Sequence, residues 1–177
     1  SVAEPLPAGF EVVRIALRGL RGGHSGVDIH EERGNAIKLL VRVLRELEGV
    51  TPVRLVDLTG GSARNALPRE AVATLALPGG RGGRLASWLA GMEASLRGEL
   101  RGIDEGLSLA VSVADAEEVM AEAEQEIWLG SLHAAPHGVR RMSRQVPGVV
   151  ETSNNLGMVD VHPNGGSCNF MVRSLIG

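Results

Sequence analysis

Aromatic side chains are scarce in this 177-residue chain, which has two Phe, two Trp and no Tyr. That leaves no stacking platform for nucleic-acid bases and requires an aliphatic core. Cysteine is limited to Cys168, which excludes an internal disulfide and suits a reducing cytoplasm. Neither sign of charge dominates. The net charge is −3 and the pI about 6.0, with the arginines scattered, so no electrostatic footprint for nucleic acid exists. No apolar run approaches the ~20 residues of a membrane span. The opening SVAEPLPAGF has neither the basic n-region nor the h-region of a secretory signal. These absences point to a soluble, cytoplasmic protein with no nucleic-acid and no membrane partner. Hydrophobic residues make up 44% and charged residues 22%, enough for one packed domain or a domain with an extension.

The hydrophobic pattern alternates between strand and helix periods. Val13, Ile15 and Leu17 oppose Arg14 and Arg18, as in a half-buried strand over residues 10–19. A turn containing Gly19, Gly22, Gly23 and Gly26 follows. A helix then starts near Asn35, with Ile37, Leu40, Val41, Leu44 and Leu47 on one stripe and Gly49 closing it. Residues 53–59 and 69–77 read as strands joined by GGSARNALP. A second helix over 83–101 carries the stripe Leu85, Trp88, Leu89, Met92 and Leu96. Leu107, Leu109, Val111 and Val113 alternate with Ser108, Ala110 and Ser112 as one more strand. The order β-α-β-β-α-β predicts an α+β fold with a ferredoxin-like antiparallel sheet and helices on one face, core 10–115. An extension over 116–177 adds an acidic helix near 116–132 and strands near 148–161 and 167–176. The chain stops at Ile176-Gly177, directly after a strand, as an excised fragment would.

Taken one motif at a time, the chain offers little chemistry. The only local cluster is His24, Asp28, His30, Glu31 and Glu32; His-Glu-Glu-Arg-Gly at 30–34 lacks the second histidine of a metalloprotease helix and reads as a polar loop, so no metal site is expected. Gly23-His24-Ser25-Gly26-Val27 lacks the final glycine of a nucleophile elbow, and the helix after it begins too late. The glycines do not form a dinucleotide or phosphate-binding loop. They read as a turn needing positive φ; the alternative is a turn that admits a ligand to the backbone and presents His24 outward. Asn65 reads as a turn residue, Arg173 as a strand residue on a solvated face, and Asn154 and Asn155 as turn or strand-edge asparagines.

Read together, the ordered segments change this. The series GLRGGHSGVDIH, GNAIKLLVRVL, GGSARNALPRE, RRMSRQVPGVVETSNNLG and VRSLI resembles the lid region of bacterial aminoacylhistidine dipeptidases. These form the carnosine-splitting peptidase D branch of the zinc aminoacylase/carboxypeptidase superfamily. The resemblance spans nearly the whole chain, and VVETSNNLG followed by VRSL narrows it to this branch. It implies a lid and dimerisation domain, residues 1–177, whose metal-binding catalytic domain is absent from the chain. It further implies two zinc or other divalent ions in that absent domain, a homodimer, a dipeptide substrate, and Xaa-His dipeptidase activity for the full-length parent only. His24 carries over as the histidine that reaches an active site, commonly the partner subunit's, and Asn65 and Arg173 as groups that contact substrate. Chemically, a His N–H suits a developing oxyanion, and an Arg fork suits a terminal carboxylate. Two other readings stay open. One is the lid of a related aminoacylase, tripeptidase or carboxypeptidase. The other is a stand-alone ferredoxin-like module for dimerisation or ligand sensing.

Overall fold

The computed structural model describes residues 3–176; Ser1, Val2 and Gly177 lie outside the described residues. The first six main elements are β1 (Phe10–Arg18), α1 (Ala36–Glu48), β2 (Arg54–Gly60), β3 (Ala71–Pro78), α2 (Gly82–Glu99) and β4 (Ser108–Val113). Asn35 starts α1, its Oδ1 accepting from the N–H groups of Ile37 (3.0 Å) and Lys38 (3.2 Å). All five residues of the expected α1 stripe are buried. Gly49 caps the helix at φ −75°, so its left-handed freedom is unused. On α2, Leu85, Leu89 and Leu96 are buried, while Trp88 and Met92 pack at the margin of the core.

The chain continues with α3 (Glu122–Ala134), β5 (Gly138–Met142), β6 (Val150–His162) and β7 (Gly165–Ser174). The sheet runs β7-β6-β2-β3-β1-β4, with every pair antiparallel and β5 joined to the first part of β6. Its inner part, β2-β3-β1-β4, has the strand order of a split βαβ unit, so the ferredoxin-like expectation is met. Ile15, Leu17, Leu55, Leu58 and Leu75 meet Ile37, Leu40, Leu44, Leu89, Leu129 and Leu132 in one aliphatic core. Leaf by leaf this is helix layer on sheet, and burying those side chains is the main stabilising term.

Three local expectations need correction. The acidic helix begins at Glu122, later than residue 116, because 114–121 runs extended. There Val119 is buried against Val12, Val56 and Ala76, and the Met120 N–H donates to the Leu55 carbonyl at 2.7 Å. A helix through Val119 and Met120 would forfeit both. Strand β5 was not anticipated: Gly-Val-Arg-Arg-Met has no apolar alternation, because it lies exposed at the rim. Val113, expected on the inner face of its strand, is 90% exposed, since β4 ends the sheet and nothing among the described residues covers it.

Register positions the site. Leu17 and Gly60 both pair with Ala71, so the connections after β1 and β2 leave the sheet at the same end. Strand β6 meets β2 only through Val159, Asp160 and Val161. Residues 150–157 therefore run past that end, roughly 25 Å of strand at the usual rise, alongside both connections.

Candidate functional site

Three sequence-predicted residues, far apart in the chain, come together on this projecting arm. The connection after β1 carries His24 and the connection after β2 carries Asn65. A short antiparallel bridge joins them, Gly23 opposite Leu67 and His24 opposite Ala66. The Ser25 N–H donates to the Asn65 carbonyl at 2.9 Å. Arg173, on β7, lies across Gly26: a Cβ built there would sit 3.0 Å from Arg173 Nε and 3.2 Å from Cδ. Gly26 thus lets the backbone run close under the Arg173 side chain, which a Cβ would push aside by a few tenths of an ångström.

The His24 turn is tied from several sides. Asp28 Oδ2 accepts from the His24 N–H at 2.8 Å, and the Asp28 N–H returns a bond to the His24 carbonyl at 2.9 Å. Arg33 Nη1 donates to the Gly22 carbonyl at 2.6 Å, and its other nitrogens engage Glu31. Gly19, Gly22 and Gly23 take positive φ, as the turn reading expected, whereas Gly26 does not. Within the turn, His24 Nδ1 accepts from the N–H groups of Gly26 (3.1 Å) and Val27 (3.2 Å). Both partners can only donate, so Nδ1 must be the acceptor nitrogen of a neutral ring and the proton resides on Nε2. An exposed imidazole with a fixed Nε2–H is a directed hydrogen-bond donor.

Asn65 is exposed at the tip of its connection. Arg173 is partly buried; its Nε is fully enclosed and has no hydrogen-bond partner among the described residues. A groove of about 690 Å³ opens beside the bridge, lined by Arg21, Gly23, Gly60, Ser62, Ala66 and Arg69. Among the described residues no group of three or more His, Cys, Asp or Glu could hold a metal ion. The cluster around His24 is spent locally, since Asp28 and Glu31 are bound to the His24 main chain and Arg33. The donor set here therefore does not fit a catalytic metal.

Sequence reasoning missed the residues that assemble the site. Asn154 and Asn155 sit in mid-strand and are buried, not at a turn or edge. Asn154 Nδ2 donates to the Pro136 carbonyl at 2.7 Å, and Asn155 Nδ2 donates to the Arg64 and Ala66 carbonyls at 2.9 and 2.8 Å. Asn35, besides capping α1, donates from Nδ2 to the Leu156 carbonyl (2.9 Å) and to His137 Nδ1 (3.0 Å). The Leu156 N–H reaches the same ring nitrogen at 3.3 Å. Burial, aided by the Lys38 charge, pushes the His137 pKa down to about 4. Lys38 itself caps α3, its Nζ donating to the carbonyls of Leu132, His133 and Ala135. No local pattern announces such long-range partners; the doubled asparagine was the only signal.

Residues 15–103 match the family described as the peptidase dimerisation domain. The chain belongs to that family. It is 41% identical over 174 residues to the cytosol non-specific dipeptidase of Escherichia coli (strain K12), an alignment covering 98% of this chain and 36% of that protein. Its fold superposes on aminoacylhistidine dipeptidase from Vibrio alginolyticus with a TM-score of 0.92 at 41% identity, covering 99% of this chain and 36% of that one. The resemblance read from the motifs is thereby borne out. The chain spans little more than a third of the length of these two proteins. The family match takes in His24 and Asn65; Arg173 lies in the part that the two dipeptidase alignments cover. No helix among the described residues is long and apolar enough to cross a membrane.

Proposed function

We propose that this chain is the lid and dimerisation module of a cytoplasmic, metal-dependent dipeptidase that hydrolyses Xaa-His dipeptides. His24 acts as an oxyanion donor, and Asn65 and Arg173 bind substrate. The observation that carries this reading is the His24 tautomer: two main-chain N–H groups occupy Nδ1, so Nε2–H is free to point at a reacting oxygen. A neutral donor held in place stabilises the negative oxygen of a tetrahedral intermediate without prior rearrangement. Arg173 suits the terminal carboxylate of a dipeptide, because a guanidinium presents two parallel N–H donors to the two carboxylate oxygens. Asn65 can donate to or accept from the substrate's peptide group. The divalent metals of the reaction belong to the separate catalytic domain of the parent, and the chain alone is expected to hydrolyse nothing.

The dimer contact of this reading is the β4 edge with the adjacent face of α2. Ala86, Ala90 and Ala94 recur every four residues on that face and are exposed, and Val113 projects from the open edge beside it. The opposite edge of the ferredoxin-like unit is already occupied by β6. The dimerisation-domain match includes α2 and ends before β4, β6 and β7.

In the full-length peptidase, His24→Ala should lower kcat by roughly 100- to 1000-fold with little change in KM, because an oxyanion donor acts in the transition state. Near-normal kcat in that variant refutes the role. The name of the Escherichia coli relative favours a second reading, a broader dipeptide specificity. Rates on Xaa-His dipeptides against dipeptides without histidine separate the two.

A further inference from the structure

We propose that Asn155 is the positioning residue of this site, holding the Asn65 turn, and through it His24, in place against Arg173; this rests on the roles assigned above to those three residues. Asn155 is completely buried in β6. It pairs with Met171, and Ser153, two residues before it, pairs with Arg173. Asn155 and Arg173 therefore lie on the same face of the β6–β7 ladder. The Asn155 Nδ2 group donates to the carbonyls of Arg64 at 2.9 Å and Ala66 at 2.8 Å. Both partners are acceptors, so only the NH2 side of the amide can face them and its orientation is determined.

These two carbonyls bracket Asn65. The Arg64 carbonyl lies in the peptide group before Asn65, and the Ala66 carbonyl lies one peptide group beyond the one after it, so the backbone is pinned on either side and the Asn65 side-chain direction is restrained. The restraint passes onward through the Ser25 N–H bond to the Asn65 carbonyl and the pairing of His24 with Ala66. On the same ladder, β7 brings Arg173 over Gly26. One buried amide thus ties two loops to the strand pair that carries the arginine.

The chemistry at this position is restrictive. Asp would place a carboxylate against two carbonyl oxygens, and Leu would leave both carbonyls without a donor. Asn155 Oδ1 is itself buried without a partner among the described residues. That is an unfavourable arrangement which a purely apolar packing position would avoid. Its neighbours Leu156 and Val159 show what such packing looks like on this strand.

A double-mutant cycle in the full-length peptidase tests the assignment. Asn155→Ser should lower kcat/KM about 10- to 100-fold by misplacing the site. In an Asn65→Ala background the same change should cost clearly less than in the wild type, because only its effect through His24 remains. Fully multiplicative losses, or a wild-type kcat/KM for Asn155→Ser, overturn the proposal. In the 177-residue chain, amide NMR of Asn155→Ser should shift residues 24–26 and 62–67 while Leu40 and Leu75 stay in place; unchanged loop resonances also overturn it. If Asn65→Ala alone leaves kcat/KM intact, the substrate role of Asn65 fails, and the NMR arm still decides whether Asn155 holds the turn. Where Asn155→Ser does not fold, Asn155→Thr, close to Asn in volume and with a hydroxyl donor, replaces it in both arms.

Discussion

Mild acid should loosen the staple beneath the site, and His137 sets the size of the effect. Its Nδ1 is the acceptor for Asn35 Nδ2 and the Leu156 N–H, so a proton on that nitrogen breaks both bonds. The folded chain holds its pKa at about 4, against 6.5 for an ordinary imidazole, chiefly through burial and secondarily through Lys38. Between those values the unfolded chain takes up a proton that the folded chain refuses. The contribution is therefore fully present above pH 6.5 and is lost as pH falls toward 4. At 1.36 kcal/mol per unit, the loss is about 3 kcal/mol, a sizeable part of an ordinary domain's stability. Urea unfolding of the wild type and of His137→Gln between pH 7 and pH 4.5 isolates it, since other groups titrate alike in both. The wild type should lose about 2–3 kcal/mol more than the variant over that range. Imidazole NMR gives a direct check, with the His137 resonance flat from pH 8 to pH 5. Parallel pH slopes in the two proteins, or a His137 titration near 6.5, refute the reasoning.

Other perturbations address the loops and the dimer. Gly157 faces the Asn65 connection so closely that a Cβ would lie 2.7 Å from both Arg64 Cα and the Arg64 carbonyl oxygen. Gly157→Ala should therefore push that loop away, costing about 1–3 kcal/mol in denaturation and moving the 62–67 amide resonances. An unchanged midpoint would show that the strand yields instead. For the dimer, Val113→Lys combined with Ala94→Glu should give monomers of the full-length protein by light scattering. Val172→Lys, on the far edge strand β7, should leave the dimer intact. A persisting dimer in the first case would place the contact elsewhere.

Local pattern carried most of the fold. The α1 stripe, the Asn35 start, the alternation in β1 and the order of the first six elements are each written within a dozen residues, because period and capping are short-range properties. Where tertiary burial competed, pattern failed. Val119 and Met120 look helical in an acidic stretch but bury better as extended chain, and β5 has no apolar face to betray it. His24, Asn65 and Arg173 could be nominated only through their likeness to a family, since nothing in the spacing of 24, 65 and 173 makes them neighbours. Their convergence depends on register. Strand β6 meets β2 late enough to overrun the sheet, and buried amides at positions 35, 154 and 155 then join the overrunning strand to the loops. Those bonds link residues far apart in the chain, and for them a sequence records only that the residue is asparagine. The chain by itself determined the elements, their order and the kinship; the three-dimensional fold alone decided that a histidine's free proton, an amide and an unpaired guanidinium share one place.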